Sequence, residues 1–134
     1  MGKDKIVLID TSSWIEALRA TGKREVCERV LNLMVEGRAA WCDMVAIELW
    51  NGAKGDYERQ KLSELDREIT CLQITRETWQ KARVLAQKCR LAGRTVPSAD
   101  LVIAACAISY HAELEHQDDH MDFILTVNSN RRSP

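Results

Sequence analysis

Short apolar runs alternate along this chain with longer amphipathic segments, and that alternation limits the fold more than any other feature. Residues 6–9 (IVLI) form a continuous, β-branched run that is typical of a strand buried on both faces. Further strand patterns lie near residues 39–42, 70–74 and 112–117, with a weak fifth near 124–127. Helical patterns lie near residues 12–20, 23–36, 44–53, 58–68, 75–92 and 98–109. This order favours an α/β/α sandwich with a mostly parallel sheet of four to five strands.

The length of the chain fits a single domain. Its 134 residues are enough for one sizeable core, and we assign residues 1–129 to the domain and 130–134 to a frayed tail. No apolar run approaches the roughly 18 residues that a membrane span needs. The first five residues lead into a strand without a signal-peptide pattern, so we expect a cytoplasmic protein.

Cysteine and histidine residues give little indication of a zinc site or a disulfide framework. The five cysteines are an odd number without a C-x-x-C motif, and most occupy apolar positions of predicted helices or strands. We expect buried free thiols. The three histidines lack paired ligand spacing, and we expect surface positions for them, although His116 or His120 could contact a substrate near the acids described next.

Four acidic residues stand where an apolar segment meets a turn or a helix start: Asp10, Glu48, Asp100 and Asp118. Asp10 closes the first strand, and ligands of open parallel α/β sheets bind outside the carboxyl ends of the strands. Asp100 opens an apolar helix entered through Pro97 and a Ser98 cap. Glu48 follows a predicted Asp43 cap and has no cation three or four residues away. Together these positions suit a shared metal site.

Each acid also has a simpler structural interpretation. Asp10 can be a helix cap, and Asp100 can interact favourably with the helix macrodipole. Glu48 can be a surface position, and Asp118 can lie in a solvated loop. The combination of all four is rarer by chance than any one of them, which favours the site.

Four segments carry a family resemblance. They are LIDTSSWIE at residues 8–16, VAIELWNGA at 45–53, GRTVPSADLVIAACA at 93–107 and HQDDHMDFI at 116–124. In their order and spacing they resemble the PIN-domain ribonucleases, and most closely the VapC toxins of toxin–antitoxin pairs. The resemblance implies a PIN-like fold and a Mg²⁺- or Mn²⁺-dependent endoribonuclease that cuts single-stranded or loop regions of RNA. It also implies a VapB-like antitoxin partner and a homodimer.

The resemblance matches the acids that hold the metal to Asp10, Glu48, Asp100 and Asp118. The last family motif usually reads Asp-x-x-Phe, whereas Met121 takes the place of the Phe here. Asp119 is therefore an alternative to Asp118.

Charge repulsion supports a metal among these acids. Two unit charges about 4 Å apart repel by roughly 4 kcal/mol at an effective dielectric constant near 20, so converging carboxylates need a cation. Mg²⁺ prefers oxygen ligands of this kind. We assign Asp10 and Asp100 as primary ligands, Glu48 as a ligand or a supporting acid, and Asp118 as the weakest ligand. Thr11 or Ser12 is expected to hydrogen-bond Asp10 or the scissile phosphate.

The distribution of charge permits RNA binding although the net charge is only −1. An amphipathic helical pattern with a basic outer side contains Arg76, Lys81, Arg83, Lys88 and Arg90, and Arg94 follows it. A solvated helix face is the simpler interpretation. Arg94 is close in sequence to Asp100, and we predict that it is the cation that meets a phosphate.

The competing interpretation is a non-catalytic or phospho-accepting regulatory module. A receiver-type domain also gathers acids around Mg²⁺, but it presents paired acids after its first strand and a late lysine. Here Asp10 is followed by Thr11, Ser12 and Ser13, and no such lysine follows the last strand. Metal-dependent RNA cleavage and phosphate incorporation from a small phosphodonor distinguish the two functions.

Overall fold

A computed structural model describes residues 5–130. The elements are β1 (Val7–Ile9), α1 (Thr11–Leu18), α2 (Arg24–Val35), β2 (Ala39–Cys42), α3 (Asp43–Asn51), α4 (Asp56–Glu68), β3 (Thr70–Leu72), α5 (Arg76–Leu91), α6 (Ser98–Ser109), β4 (Glu113–Glu115) and α7 (Asp119–Ser129). The predicted frayed tail lies outside the described residues except for Asn130. Residues 1–4, which belong to the segment predicted to lack a signal peptide, also lie outside the described residues.

The four strands form one parallel sheet in the order β3-β2-β1-β4. From β1 the chain moves to β2 and β3 on one side and later returns to β4 on the other. The sheet therefore changes winding direction between β1 and β4, and the crevice at the carboxyl ends of those two strands is the place where such sheets bind ligands. The predicted α/β class with a parallel sheet is confirmed.

The weak fifth strand predicted near residues 124–127 is wrong, because these residues belong to α7. The buried side chains of this segment are Met121, Ile124 and Val127. Their spacing of three residues forms one face of a helix, whereas a strand would bury alternate residues. The helix is also capped by Asp118, whose side chain accepts a hydrogen bond from the His120 N–H.

Two of the predicted helix caps are displaced by one residue. α3 is capped by Cys42 and begins at Asp43, and α6 is capped by Pro97 and begins at Ser98. Neither Cys42 nor Pro97 makes a side-chain hydrogen bond to its helix. The acids in the first turns of these helices are Asp43 in α3 and Asp100 in α6.

The core lies between the sheet and the helices. α6 buries a continuous stretch from Asp100 to Ala107, as its apolar sequence predicted. The rings of Trp14 and Trp41 meet edge to face with their centroids 6.1 Å apart, and both side chains are buried in the core. Among residues 5–130, no helix combines the length and apolarity needed to cross a membrane.

All five cysteines are free. Cys42, Cys89 and Cys106 are buried, Cys27 is half-buried and Cys71 is exposed. The prediction of free thiols is confirmed, and the prediction of burial is confirmed for three of them.

Candidate active site

Asp10 stands at the carboxyl end of β1 and caps α1. Its Oδ2 accepts hydrogen bonds from the Ser12 N–H at 3.2 Å and from the Ser12 hydroxyl at 2.5 Å. The residue is only 2% exposed, and its Oδ1 has no hydrogen-bond partner among residues 5–130. A buried carboxylate oxygen without a partner is costly unless a ligand completes it. The cap interpretation of Asp10 therefore holds, but it accounts for one of the two oxygens.

Asp100, in the first turn of α6, lies at the electrostatic centre of the acids. Its pKa is raised from 3.8 to about 6, first by burial and then by the charges of Asp118, Asp10 and Glu48, whereas His120 opposes the shift. Residues from three distant segments thus act on the Asp100 carboxyl group. The structure brings the four predicted acids together.

Glu48, on α3, is held by a residue of α1. The Thr11 hydroxyl donates to its Oε1 at 2.6 Å. Thr11 and Ser12 were predicted as alternative partners of Asp10; Ser12 occupies that role, and Thr11 orients Glu48 instead. Glu48 has no cation nearby in sequence, so its partner comes from another helix.

Asp118 and His120 complete the group at the start of α7. The Asp118 Oδ1 accepts from the His120 N–H at 2.9 Å, and His120 Nδ1 lies 3.3 Å from both Asp118 Oδ1 and Asp100 Oδ2. One ligand atom from each of Asp100, Asp118 and His120 lies within 4.8 Å of the others. Asp119 is exposed and outside this group.

His120 was expected at the surface, and the sequence analysis missed its position between two acids. The available signal is its spacing from Asp118. A residue two positions after a helix cap lies in the first turn, where its side chain can fold back towards the cap.

A second layer of polar contacts fixes the β1–β4 crevice. The Ser12 hydroxyl, while donating to Asp10, also accepts from the Gln117 N–H at 3.0 Å. The Ser13 hydroxyl donates to Glu115 Oε2 at 3.0 Å, and Arg29 donates to both oxygens of Glu115 at 3.1 and 3.2 Å. These bonds tie the end of β4 to the start of α1 and to α2.

The arrangement fits a divalent cation. The carboxylates of Asp10, Glu48, Asp100 and Asp118 supply oxygen donors, and His120 supplies one nitrogen donor. The unpartnered Oδ1 of Asp10 and the raised pKa of Asp100 are both relieved by a positive charge at this place.

Comparisons with known proteins identify the family. The model of the PIN domain matches residues 7–124. "Ribonuclease VapC11" of Mycobacterium tuberculosis (strain ATCC 25618 / H37Rv) is 34% identical over 128 residues, which cover 92% of this chain and 95% of that protein. The chain is a PIN-domain protein of the VapC family. "Ribonuclease VapC18" of the same strain is 29% identical over 91% of this chain and 89% of that protein.

Solved structures confirm the PIN fold. This PIN domain superposes on a chain of VapBC-1 from nontypeable Haemophilus influenzae with a TM-score of 0.73 and 21% identity, covering 90% of this chain and 92% of that one. A chain of FitAB bound to the IR36 DNA fragment gives a TM-score of 0.73 with 17% identity, covering 89% and 90%.

Arg94 follows α5 and is exposed. Its guanidinium carbon lies 5.0 Å from the centroid of the Phe123 ring on α7. The predicted amphipathic helix is confirmed as α5, and Arg94 lies beyond it, after Gly93 with a φ of 96°. The guanidinium of Arg94 thus packs against α7, the helix that Asp118 caps.

Helices α1, α2 and α4 enclose a mainly apolar groove of about 320 Å³, which Lys61, Glu64 and Glu68 also line. Its lining includes Trp14, Leu18, Val30, Leu31, Tyr57 and Leu65. Leu31 and Tyr57 are 59% and 71% exposed, which is unusual for large apolar side chains that share one groove.

Proposed function

We propose that this PIN domain is a Mg²⁺- or Mn²⁺-dependent endoribonuclease that cuts single-stranded or loop regions of RNA, acting as the toxin of a VapBC-type pair. The convergence of three acids on Asp100, together with the unpartnered buried oxygen of Asp10, carries the proposal. The name of the relative, "Ribonuclease VapC11", supports the same activity.

Asp10 and Asp100 are the primary metal ligands in this proposal. Ser12 holds one oxygen of Asp10, so the other is presented in a fixed direction. Asp118 is the weaker ligand, because its Oδ1 already accepts the His120 N–H. Glu48 is either a ligand or an acid that supports the site, with Thr11 setting its orientation.

The reaction is hydrolysis of a phosphodiester bond. A water oxygen bonds to phosphorus, the bond to the 3′ oxygen breaks, and the 3′ oxygen takes a proton, which leaves a 5′-phosphate and a 3′-hydroxyl. Asp10 and Asp100 would hold a divalent cation, which would supply charge stabilisation at the phosphoryl oxygens and lower the pKa of the attacking water. The protein residues orient the carboxylates, and Arg94 contacts a phosphate of the RNA backbone.

An antitoxin is the second partner that we propose. Proteins of similar structure include a toxin–antitoxin complex from Klebsiella pneumoniae and VapBC2 from Rickettsia felis bound to a DNA fragment from their promoter. The groove between α1, α2 and α4 offers exposed apolar side chains that an amphipathic segment of a small antitoxin would cover. We also propose that the toxin is a homodimer.

Matched neutral substitutions test the nuclease activity. Asp10→Asn and Asp100→Asn keep the side-chain shape but lose ligand charge, and we expect them to abolish cleavage of labelled single-stranded RNA in Mg²⁺ or Mn²⁺. Asp118→Asn should reduce cleavage, whereas Asp119→Asn, which neutralises the neighbouring exposed acid, should leave it unchanged.

Cleavage by folded Asp10→Asn or Asp100→Asn at the wild-type rate contradicts the proposal for that residue. A larger loss of RNA cleavage in Asp119→Asn than in Asp118→Asn would identify Asp119 as the fourth acid. A map of new 5′ ends in cellular RNA after brief induction identifies the substrate. Phosphate transfer to the protein from a small phosphodonor, without RNA cleavage, would instead support the regulatory module.

A further inference from the structure

His120 differs from the other groups at the site because it offers nitrogen. Its Nδ1 lies 3.3 Å from one oxygen of Asp100 and 3.3 Å from one oxygen of Asp118. The backbone N–H of the same residue is bonded to Asp118, which fixes the start of α7. The ring nitrogen therefore lies between two carboxylates without any rearrangement of the backbone.

The other two histidines do not occupy such a position. His116 Nδ1 accepts the Asp118 N–H at 3.3 Å, and its Nε2 lies 3.3 Å from Asp122 Oδ1, so neither ring nitrogen joins the group of ligand atoms formed by Asp100 and Asp118. His111 is exposed, with a φ of 54°, in the turn between α6 and β4. Of the three histidines, His120 alone belongs to the group with Asp100 and Asp118.

The chemistry of the donor set decides which cation it favours. Mg²⁺ prefers oxygen ligands and is dehydrated reluctantly, whereas imidazole binds transition-metal ions well. A site of carboxylates alone discriminates weakly between Mg²⁺ and Mn²⁺. Addition of one imidazole nitrogen strengthens binding of the transition metal selectively.

The unpartnered Oδ1 of Asp10 is the independent sign that a ligand belongs here. Asp10 is 2% exposed, and its charge acts on Asp100. The unpartnered acid therefore belongs to the same acidic cluster as Asp100, Asp118 and His120, whose ligand atoms lie within 4.8 Å of one another.

We propose that His120 binds the metal directly through Nδ1 and that the site consequently prefers Mn²⁺ and similar transition-metal ions to Mg²⁺. This inference rests on the proposed metal-dependent function and specifies its cofactor. In this assignment His120 is a ligand, and its role is separate from the contact that its backbone makes with Asp118.

Electron paramagnetic resonance of bound Mn²⁺ tests the assignment without an activity assay. Full-length protein is prepared with natural histidine and with ¹⁵N-labelled histidine, and the electron spin echo modulation from nitrogen is compared. We expect a directly bound nitrogen whose frequency changes with the label. Loss even of a group that only orients a ligand costs about tenfold or more in metal affinity, so direct ligation should favour Mn²⁺ over Mg²⁺ by at least about tenfold.

His120→Gln should remove the nitrogen signal and most of the preference for Mn²⁺, while Mg²⁺ affinity changes little. His111→Asn is the matched control, because Asn also adopts a positive φ readily, and it should retain both. Should His120→Gln fail to fold, His111→Asn and His116→Gln assign the signal by elimination.

The possible failures are distinguishable. Mn²⁺ that binds tightly without a nitrogen signal overturns the role of His120 and leaves the nuclease proposal intact. Equal affinities for Mn²⁺ and Mg²⁺ in wild type have the same meaning. If neither cation binds, the metal-dependent function fails together with the inference.

Discussion

Asp10 uses its two carboxylate oxygens differently. One oxygen satisfies the N–H and hydroxyl groups of Ser12 at the start of α1, and the other is buried without a partner. A helix cap and a metal ligand are therefore compatible roles for one residue. The same cap geometry that stabilises α1 fixes the direction of the free oxygen.

The metal-free site should destabilise the fold at neutral pH. The pKa of Asp100 is raised from 3.8 to about 6, so the folded protein retains a proton that the unfolded chain releases in this interval. The contribution of Asp100 to stability is fully present below about pH 3.8 and is lost as the pH rises to about 6. Asp100→Asn should therefore be more stable than wild type in EDTA at pH 7, by about 1 to 2 kcal/mol.

Thermal melting in EDTA at pH 4 and pH 7 measures this difference, which should nearly vanish at the lower pH. Added Mn²⁺ binds the folded wild type and raises its melting temperature by mass action, and Asp100→Asn should gain less. A variant that melts below wild type in EDTA at pH 7 would show that the carboxylate is not repelled by its neighbours.

Arg94 should contribute one phosphate contact to RNA binding. Phosphate contacts release counterions, so binding weakens as salt increases. In an Asp100→Asn background, Arg94→Ala should weaken binding and reduce the slope of log affinity against log salt by about one unit. Arg90→Ala removes the same charge from an exposed position of α5 and serves as the control. Equal slopes for the two variants would show that Arg94 makes no phosphate contact and is an ordinary solvated side chain.

The sequence predicts single residues well where local context is informative. Asp10 follows the end of a strand and Asp100 lies in the first turn of a helix, and both positions can be predicted from the neighbouring residues. The position of His120 depends on how α6 and α7 meet, since its ring lies against acids from both. Contacts between side chains of two different helices leave no pattern in the sequence. The functional roles of Asp10, Asp100 and His120 stay predictions.

At the scale of elements, a single hydroxyl joins α1 to α3. Thr11→Val removes the hydrogen bond to Glu48 and keeps the shape of the side chain. Because groups that orient metal-site carboxylates affect activity about tenfold or more, we expect a loss of that order in kcat/KM with the fold retained. Thr11→Ser preserves the hydroxyl and should behave like wild type. Steady-state kinetics and circular dichroism of both variants are the measurements, and equal activities would remove Thr11 from the site.

The error in the last element has a physical cause. The segment at residues 124–127 is apolar, and a short apolar run is consistent with a strand or with a buried helix. The Asp118 cap and the three-residue spacing of Met121, Ile124 and Val127 decide for a helix, but they are recognised only when the segment is considered as a whole. Longer patterns, such as that of α5, were assigned correctly.

At the scale of the whole molecule, the active site and the apolar groove use different residues. Leu31→Glu places a charge in the groove, and we expect it to weaken binding of the cognate antitoxin by about a hundredfold, as loss of a binding hot spot does. RNA cleavage should be unaffected. Val84→Glu puts the same charge on α5, where the side chain is 48% exposed, and should leave binding unchanged.

Calorimetric titration of the purified partner into each toxin variant measures the affinities. Wild-type affinity in Leu31→Glu would exclude the groove as the docking surface.

The edge position of β4 affects the fraction of time for which the residues of the active site are all in place. β4 has three residues and pairs with β1 alone among the described strands. Elements at the edge of a sheet open more often than central ones, and such openings are cooperative over neighbouring segments. Each opening of β4 with α7 would carry Asp118 and His120 away while Asp10 and Glu48 stayed in place. Amide hydrogen exchange along β4 and α7 would therefore report the fraction of time for which the site is complete, whereas the global melting temperature would not.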